Sequence, residues 1–137
     1  LTIEMQGLVN AKLDTLAMGD TLLDTPDMLH NLMHPSIQPF LISWMKYNPA
    51  NQIKQLKVPV LLVNGTTDIQ VAVSEMQLLA DANPAAKVVK IKNMNHVLKT
   101  IKSMDMGEQL ELYGEPDVPL HKKLVSTLIK FLSSIDS

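Results

Sequence analysis

The sequence predicts an α/β fold, and two apolar segments with a helix between them carry this prediction. Residues 60–63 (Val-Leu-Leu-Val) form a continuous apolar run that ends at Asn64-Gly65. Such a run is typical of a strand buried on both faces of a parallel sheet. Residues 87–92 form a second strand with partial alternation, and residues 73–82 between the two indicate a helix. The order strand, helix, strand, helix favours a parallel unit, and two strands alone make a poor sheet.

Residues 1–47 are predicted to be helical and to form the first of two segments. Apolar residues recur at near-helical spacing from Ile3 to Leu16, and Gly19 stands where that helix would stop. Thr25 is predicted to cap a short second helix that has Pro26 at its first position.

A third helix is expected to follow the short one. Pro35 should close the short helix, and Ser36 should open the next. Three aromatic residues fall near one face of this third helix, and either a substrate pocket or helix packing would explain them: Phe40, Trp44 and Tyr47.

The second segment, residues 48–137, contains the two strands and the remaining helices. A helix is expected at about 49–56, anchored by Ile53 and Leu56, and Ser74 is a candidate cap for the helix at 73–82. A short helix is expected at 105–113. Residues 120–135 predict a terminal amphipathic helix, whose apolar stripe is Leu124, Leu128, Ile129, Leu132 and Ile135.

Composition excludes several classes of function. The 137 residues carry a net charge of −2. They contain no cysteine, so disulfides, thiolate zinc sites and cysteine nucleophiles are excluded. All twelve basic residues are lysine, and without arginine no nucleic-acid partner is expected. No run of 18 apolar residues occurs, so no transmembrane segment is expected. Nothing in the composition assigns a cellular compartment.

Asp68 and His96 are the candidate catalytic residues. Asp68 comes three positions after the first strand, and His96 follows the second strand. Open α/β sheets hold their functional groups outside the carboxyl ends of parallel strands, so these two side chains should meet. An aspartate that holds the Nδ1–H of a histidine forms the acid and base of a nucleophilic triad. Taken singly, each residue also fits a simpler role, Asp68 as a turn residue and His96 as a solvated loop residue.

Residues 58–71 (Val-Pro-Val-Leu-Leu-Val-Asn-Gly-Thr-Thr-Asp-Ile-Gln-Val) resemble the acid-bearing strand and loop of the α/β-hydrolase superfamily. Its usual form is Pro-Val-Leu, several apolar residues, Gly, and an Asp two or three positions later. Residues 79–84 and 94–99 (Met-Asn-His-Val-Leu-Lys) resemble its histidine-bearing part. The resemblance is closest to bacterial serine esterases, lipases and serine-aminopeptidase-like enzymes, and it covers about residues 36–135.

The resemblance implies the carboxyl-terminal portion of a doubly wound parallel sheet, with residues 1–47 as a helical lid-like part. It implies that Asp68 is the triad acid and His96 the general base, acting on a small ester or acyl substrate. Such an enzyme needs no cofactor and no metal. The nucleophile of the family lies in Gly-x-Ser-x-Gly, and none of the five glycines here flanks a serine in that way. Without this nucleophile we expect the chain alone to be inactive. Because it begins at Leu1 and not at methionine, we expect it to be a processed or excised segment.

Two other interpretations follow from the residues. The chain could be a non-catalytic interaction module derived from a hydrolase, which would form a homodimer through an exposed sheet edge or apolar faces. His30 and His34 have the spacing of zinc ligands, but the glutamate of the metalloprotease motif is missing and Pro35 follows at once. A metal site there is not expected.

Overall fold

A computed structural model describes residues 2–135. The chain divides into two compact units, Leu1–Asn48 and Pro49–Ser137. The outermost residues of the two predicted segments, Leu1 and residues 136–137, lie outside the described part of the chain.

The first unit is helical, as predicted. Its helices are α1 (Ile3–Met18), α2 (His30–Met33) and α3 (Gln38–Met45), with a 3-10 turn over Asp27–Leu29. Helix α1 ends where the sequence indicates, because Gly19 adopts φ 96° and its backbone N–H donates to the carbonyl oxygen of Leu16. The core of this unit is built on the buried side chains of Leu16, Leu29 and Met33.

Two of the predicted helix starts in the first unit are wrong. Pro26, and not Thr25, precedes the 3-10 turn, and the Thr25 hydroxyl donates to the carbonyl oxygen of Met33 instead. Helix α3 begins at Gln38 rather than at Ser36, whose hydroxyl pairs with the ring of His34. In both places the polar side chain has a local partner that competes with capping.

The second unit is α/β, as predicted, and contains the two strands. Its elements are α4 (Pro49–Ile53), β1 (Leu61–Gly65), α5 (Val73–Ala82), β2 (Lys87–Ile91), α6 (Met106–Glu111), a 3-10 turn (Leu112–Gly114) and α7 (Lys122–Ser133). Helix α4 is shorter than predicted and leaves Leu56 half-exposed. Helix α5 follows Ala72 and not Ser74, because the chain leaves the preceding turn extended at Ala72 and becomes helical at once.

Strands β1 and β2 are parallel and in register from Leu61 beside Lys87 to Gly65 beside Ile91. Their carboxyl ends therefore lie at the same edge of the sheet. Val63 and Val89 pack on the buried core of this unit, which consists of Ile91, Met94 and Leu124. Helix α7 thus covers one sheet face through Leu124. Leu61–Val63 are half-buried, so full burial of β1 on both faces is not observed.

None of the helices between residues 2 and 135 combines the length and apolar character that crossing a bilayer requires.

Candidate functional site

The loop that carries Asp68 is fixed to the chain that follows β2. Beyond Gly65, the backbone N–H of Thr66 donates to the carbonyl oxygen of Ile91 at 3.0 Å, which extends the pairing of the strands by one residue. The next N–H, of Thr67, donates to the carbonyl oxygen of Met94 at 3.2 Å. In return, the N–H of Asn93 donates to the Thr66 hydroxyl at 3.0 Å. The two loops after the strands are therefore held together by the backbone.

Gly65 permits this close approach of the two loops. A Cβ atom at position 65 would lie 1.9 Å from the carbonyl oxygen of Met94, well inside van der Waals contact. Glycine is thus required here for space rather than for an unusual φ angle. A glycine at the end of a predicted strand is the kind of sequence signal that indicates a close approach of another backbone segment.

His96 lies in a tight turn closed by Asn95. The N–H of Asn95 donates to the carbonyl oxygen of Lys99 at 3.0 Å, and the N–H of Lys99 donates to Asn95 Oδ1 at 2.8 Å. Leu98 has φ 65°, a left-handed conformation that is uncommon for a residue other than glycine. The turn therefore holds His96 in place by bonds on both sides of its tip.

The structure brings Asp68 and His96 together, 28 positions apart in the chain. His96 Nδ1 lies 3.1 Å from Asp68 Oδ2. The side chain of Asp68 is 8% exposed and that of His96 is 37% exposed. The carboxylate is thus largely shielded from water, while the imidazole keeps an open side.

The two oxygens of Asp68 have separate tasks. Oδ1 accepts the backbone N–H groups of Gln70 and Val71, both at 2.9 Å, and Oδ2 faces His96. The turn role that the sequence allows for Asp68 is therefore present alongside the contact with histidine. The turn bonds fix the carboxylate plane and so aim Oδ2 at the imidazole.

The hydrogen-bonding partner of His96 Nδ1 determines the tautomer of the ring. An ionised carboxylate only accepts hydrogen bonds, so the Nδ1 atom of a neutral His96 must carry the proton. Nε2 is then the unprotonated nitrogen, on the far side of the ring from Asp68. This arrangement can accept a proton at Nε2 and stabilise the imidazolium that results.

The other residues singled out from the sequence are not part of this pair. The rings of His30 and His34 make an edge contact at 4.8 Å, and His34 Nδ1 lies 2.7 Å from the Ser36 hydroxyl. Within residues 2–135, no group of three or more histidine and acidic side chains could hold a metal ion. Phe40 and Trp44 stack with centroids 5.9 Å apart and are exposed, so a buried packing role for the aromatic residues is not observed.

Comparison with known proteins finds no protein family that matches the chain and no curated protein similar to it.

Replacing Asp68 with Asn should reverse the tautomer of His96. The backbone N–H groups of Gln70 and Val71 require an acceptor, so the Asn amide oxygen should stay on their side. The amide NH₂ would then face His96 Nδ1, which must accept, and the proton moves to Nε2. Long-range ¹H–¹⁵N spectra report which ring nitrogen is protonated. Asp105→Asn, which changes another capping carboxylate, should leave His96 unaffected. A His96 that keeps its Nδ1 proton in Asp68→Asn would contradict this assignment.

Gly65→Ala should destabilise the second unit and disturb the pair. The new methyl group must push the Met94 carbonyl away, at a cost of about 1–3 kcal/mol in the free energy of unfolding. Urea denaturation measures this cost. Gly7→Ala is the control, because Gly7 is helical with open space around it and should gain roughly 0.5–1 kcal/mol. Equal stability of Gly65→Ala and the parent chain would show that the loops are not in this close contact.

Proposed function

We propose that this chain supplies the acid and the histidine of a serine-dependent α/β-hydrolase that cleaves carboxylic ester or related acyl bonds. The observation that carries the proposal is the 3.1 Å contact between Asp68 Oδ2 and His96 Nδ1 at the carboxyl edge of parallel strands. This is the position at which open α/β sheets hold catalytic groups. The resemblance of residues 58–71 and 94–99 to the acid and histidine segments of that superfamily supports the same assignment.

His96 Nε2 would act as the general base. It would take the proton of a serine hydroxyl as that oxygen attacks the acyl carbon, and later give the proton to the leaving group. Asp68 would stay ionised and hold the imidazolium through Nδ1–H. The reaction requires neither a cofactor nor a metal ion, and its substrate would be a small ester or acyl compound.

The sheet supports a finer proposal about the fold. A strand, a helix and a parallel neighbouring strand are the repeating unit of a doubly wound sheet, and β1, α5 and β2 form one such unit. We propose that the second unit is the carboxyl-terminal portion of such a sheet and that residues 1–47 form the lid. Since the 137 residues contain no Gly-x-Ser-x-Gly, the serine and the oxyanion hole would come from elsewhere in a longer protein.

The decisive experiment uses the complete reading frame that contains this chain. Its product should hydrolyse p-nitrophenyl esters, and the 137 residues alone should not. In the complete protein, His96→Ala should lower kcat by at least about 10⁴-fold and Asp68→Asn by about 10⁴-fold. His121→Asn is the matched control, because the His121 ring accepts the N–H of Lys123 as a helix cap and Asn can replace that cap. Hydrolysis that survives His96→Ala, or a reading frame without a serine elbow, would end the proposal.

A second function, a non-catalytic dimerisation module, is favoured by the exposed apolar side of helix α7. Only Leu124 of the predicted stripe is buried, and the neighbouring positions are 42–59% exposed: Val125, Leu128, Ile129 and Leu132. These four residues share one side of the helix. In a complete hydrolase the rest of the domain would cover them, and in a module a second copy would.

Light scattering at several concentrations tests the module. A homodimer formed through α7 should become a 15.2 kDa monomer in Leu132→Lys, because a buried unpaired charge opposes association. Ser126→Lys adds the same charge away from the apolar side and should leave the dimer intact. A monomer of the unmodified chain at high concentration would exclude this second function.

A further inference from the structure

Residues 106–115, which comprise α6, the 3-10 turn after it and Glu115, contact both loops that carry the candidate pair. We call this segment the brace. It lies later in the chain than Asp68 and His96. Among the described contacts, none of its hydrogen bonds is made to either of these two side chains. Its contacts are instead with the loops on either side.

The brace is bound to the Asp68 loop at two points. The fully buried Gln109 donates from Nε2 to the carbonyl oxygen of Thr67 at 2.9 Å and to that of Ser103 at 2.7 Å. Four residues later, the Tyr113 hydroxyl accepts from Gln70 Nε2 at 2.6 Å. Thr67 and Gln70 flank Asp68, and the N–H of Gln70 donates to its carboxylate. The brace therefore fixes the Asp68 loop before and after the carboxylate.

The brace is bound to the His96 turn by one buried cation. Lys99 closes the turn through its backbone N–H. Its side chain leads away from the turn to the brace, and the residue is only 8% exposed. The ammonium group donates to the carbonyl oxygen of Leu112 at 2.7 Å and to that of Glu115. Hydrogen bonds with a charged donor are about twice as strong as neutral ones. No acidic side chain neutralises this lysine among the described contacts, so its bonds to the two carbonyl groups replace water.

We propose that the brace couples the two loops and that Lys99, Gln109 and Tyr113 are positioning residues for the Asp68–His96 contact. The two loops already share backbone bonds at Thr66 and Thr67, close to the strand ends. One side-chain bond also joins them directly, from the Thr67 hydroxyl to the carbonyl oxygen of Ile101 at 2.9 Å. Asp68 and His96 lie nearer the tips of the loops, and there the brace links the two sides. Lys99 holds the His96 side, and Gln109 with Tyr113 holds the Asp68 side. The catalytic meaning of the brace rests on the proposed hydrolase function, whereas its effect on the contact does not.

The Nδ1–H proton of His96 provides a test without catalysis. A proton held between an imidazole and a carboxylate exchanges slowly with water, and Asp68→Asn identifies its signal by abolishing it. Lys99→Met keeps an apolar chain of similar length and removes the ammonium group. We expect exchange of the Nδ1–H proton to accelerate by at least about tenfold, because both charge-assisted bonds of the ammonium group are lost. Lys102→Met, at an exposed lysine three positions away, should leave the rate unchanged.

Backbone amide exchange separates positioning from general destabilisation. In Lys99→Met the backbone amide of Lys87, which donates to the carbonyl oxygen of Val60 at 2.8 Å between the strands, should stay protected while the His96 proton exchanges faster. An unchanged His96 proton, or amide protection lost in parallel with it, would overturn the proposal. Should Lys99→Met fail to fold, Tyr113→Phe and Gln70→Ala decide, because each removes only the exposed bond between these two side chains. Each should accelerate exchange of the His96 proton, and the double variant should add nothing further. Additive or absent effects would contradict the coupling, and none of these outcomes depends on hydrolase activity.

Discussion

The contact between the backbones of Gly65 and Met94 is the constraint on which the candidate site depends. Parallel strands bring their ends to one edge, but side chains usually keep the following loops apart. With no Cβ at Gly65, the carbonyl group of Met94 occupies that space, and from there the same carbonyl oxygen accepts the N–H of Thr67. Asp68 comes next after Thr67, and His96 comes two residues after Met94. The absence of a Cβ atom at Gly65 thus lets the two loops come close enough for Asp68 and His96 to make contact.

Buried amides, rather than apolar side chains, hold the loops beyond that point. Asn64 donates to the carbonyl oxygen of Val71, Asn95 accepts the N–H of Lys99, and Gln109 donates to Thr67 and Ser103. Each uses one end of its amide, and the other end has no hydrogen-bond partner among residues 2–135. The bonded end of each amide fixes the backbone of the loops, which apolar packing alone would not do because it is not directional.

The sequence predicts those parts of the fold that local chemistry dictates. The apolar run before Gly65 predicts β1, proline and glycine mark where elements end, and the shared edge of parallel strands predicts that Asp68 and His96 meet. Helix starts are less well predicted, because the hydroxyl groups of Thr25 and Ser36 find other partners. The brace could not be predicted. Gln109 lies 42 positions from Thr67 and Tyr113 lies 43 from Gln70, and no periodicity or motif connects residues at such separations.

The hydrogen bonds described for the Asp68–His96 pair lie within the second unit. The geometry of the pair is therefore the same under either of the two proposed functions. Gly65, the paired loops and the brace belong to residues 65–115, whereas the exposed apolar side of α7 lies beyond them. The start of α7 is bonded to the His96 turn, because the N–H of His121 donates to the carbonyl oxygen of Leu98 at 2.7 Å. A cover over the exposed apolar side of α7, whether the rest of a hydrolase or a second copy, would leave this bond and those of the pair in place. The alignment therefore reports how the loops are built, and in the proposed hydrolase the rest of the domain would bring a serine to His96 Nε2.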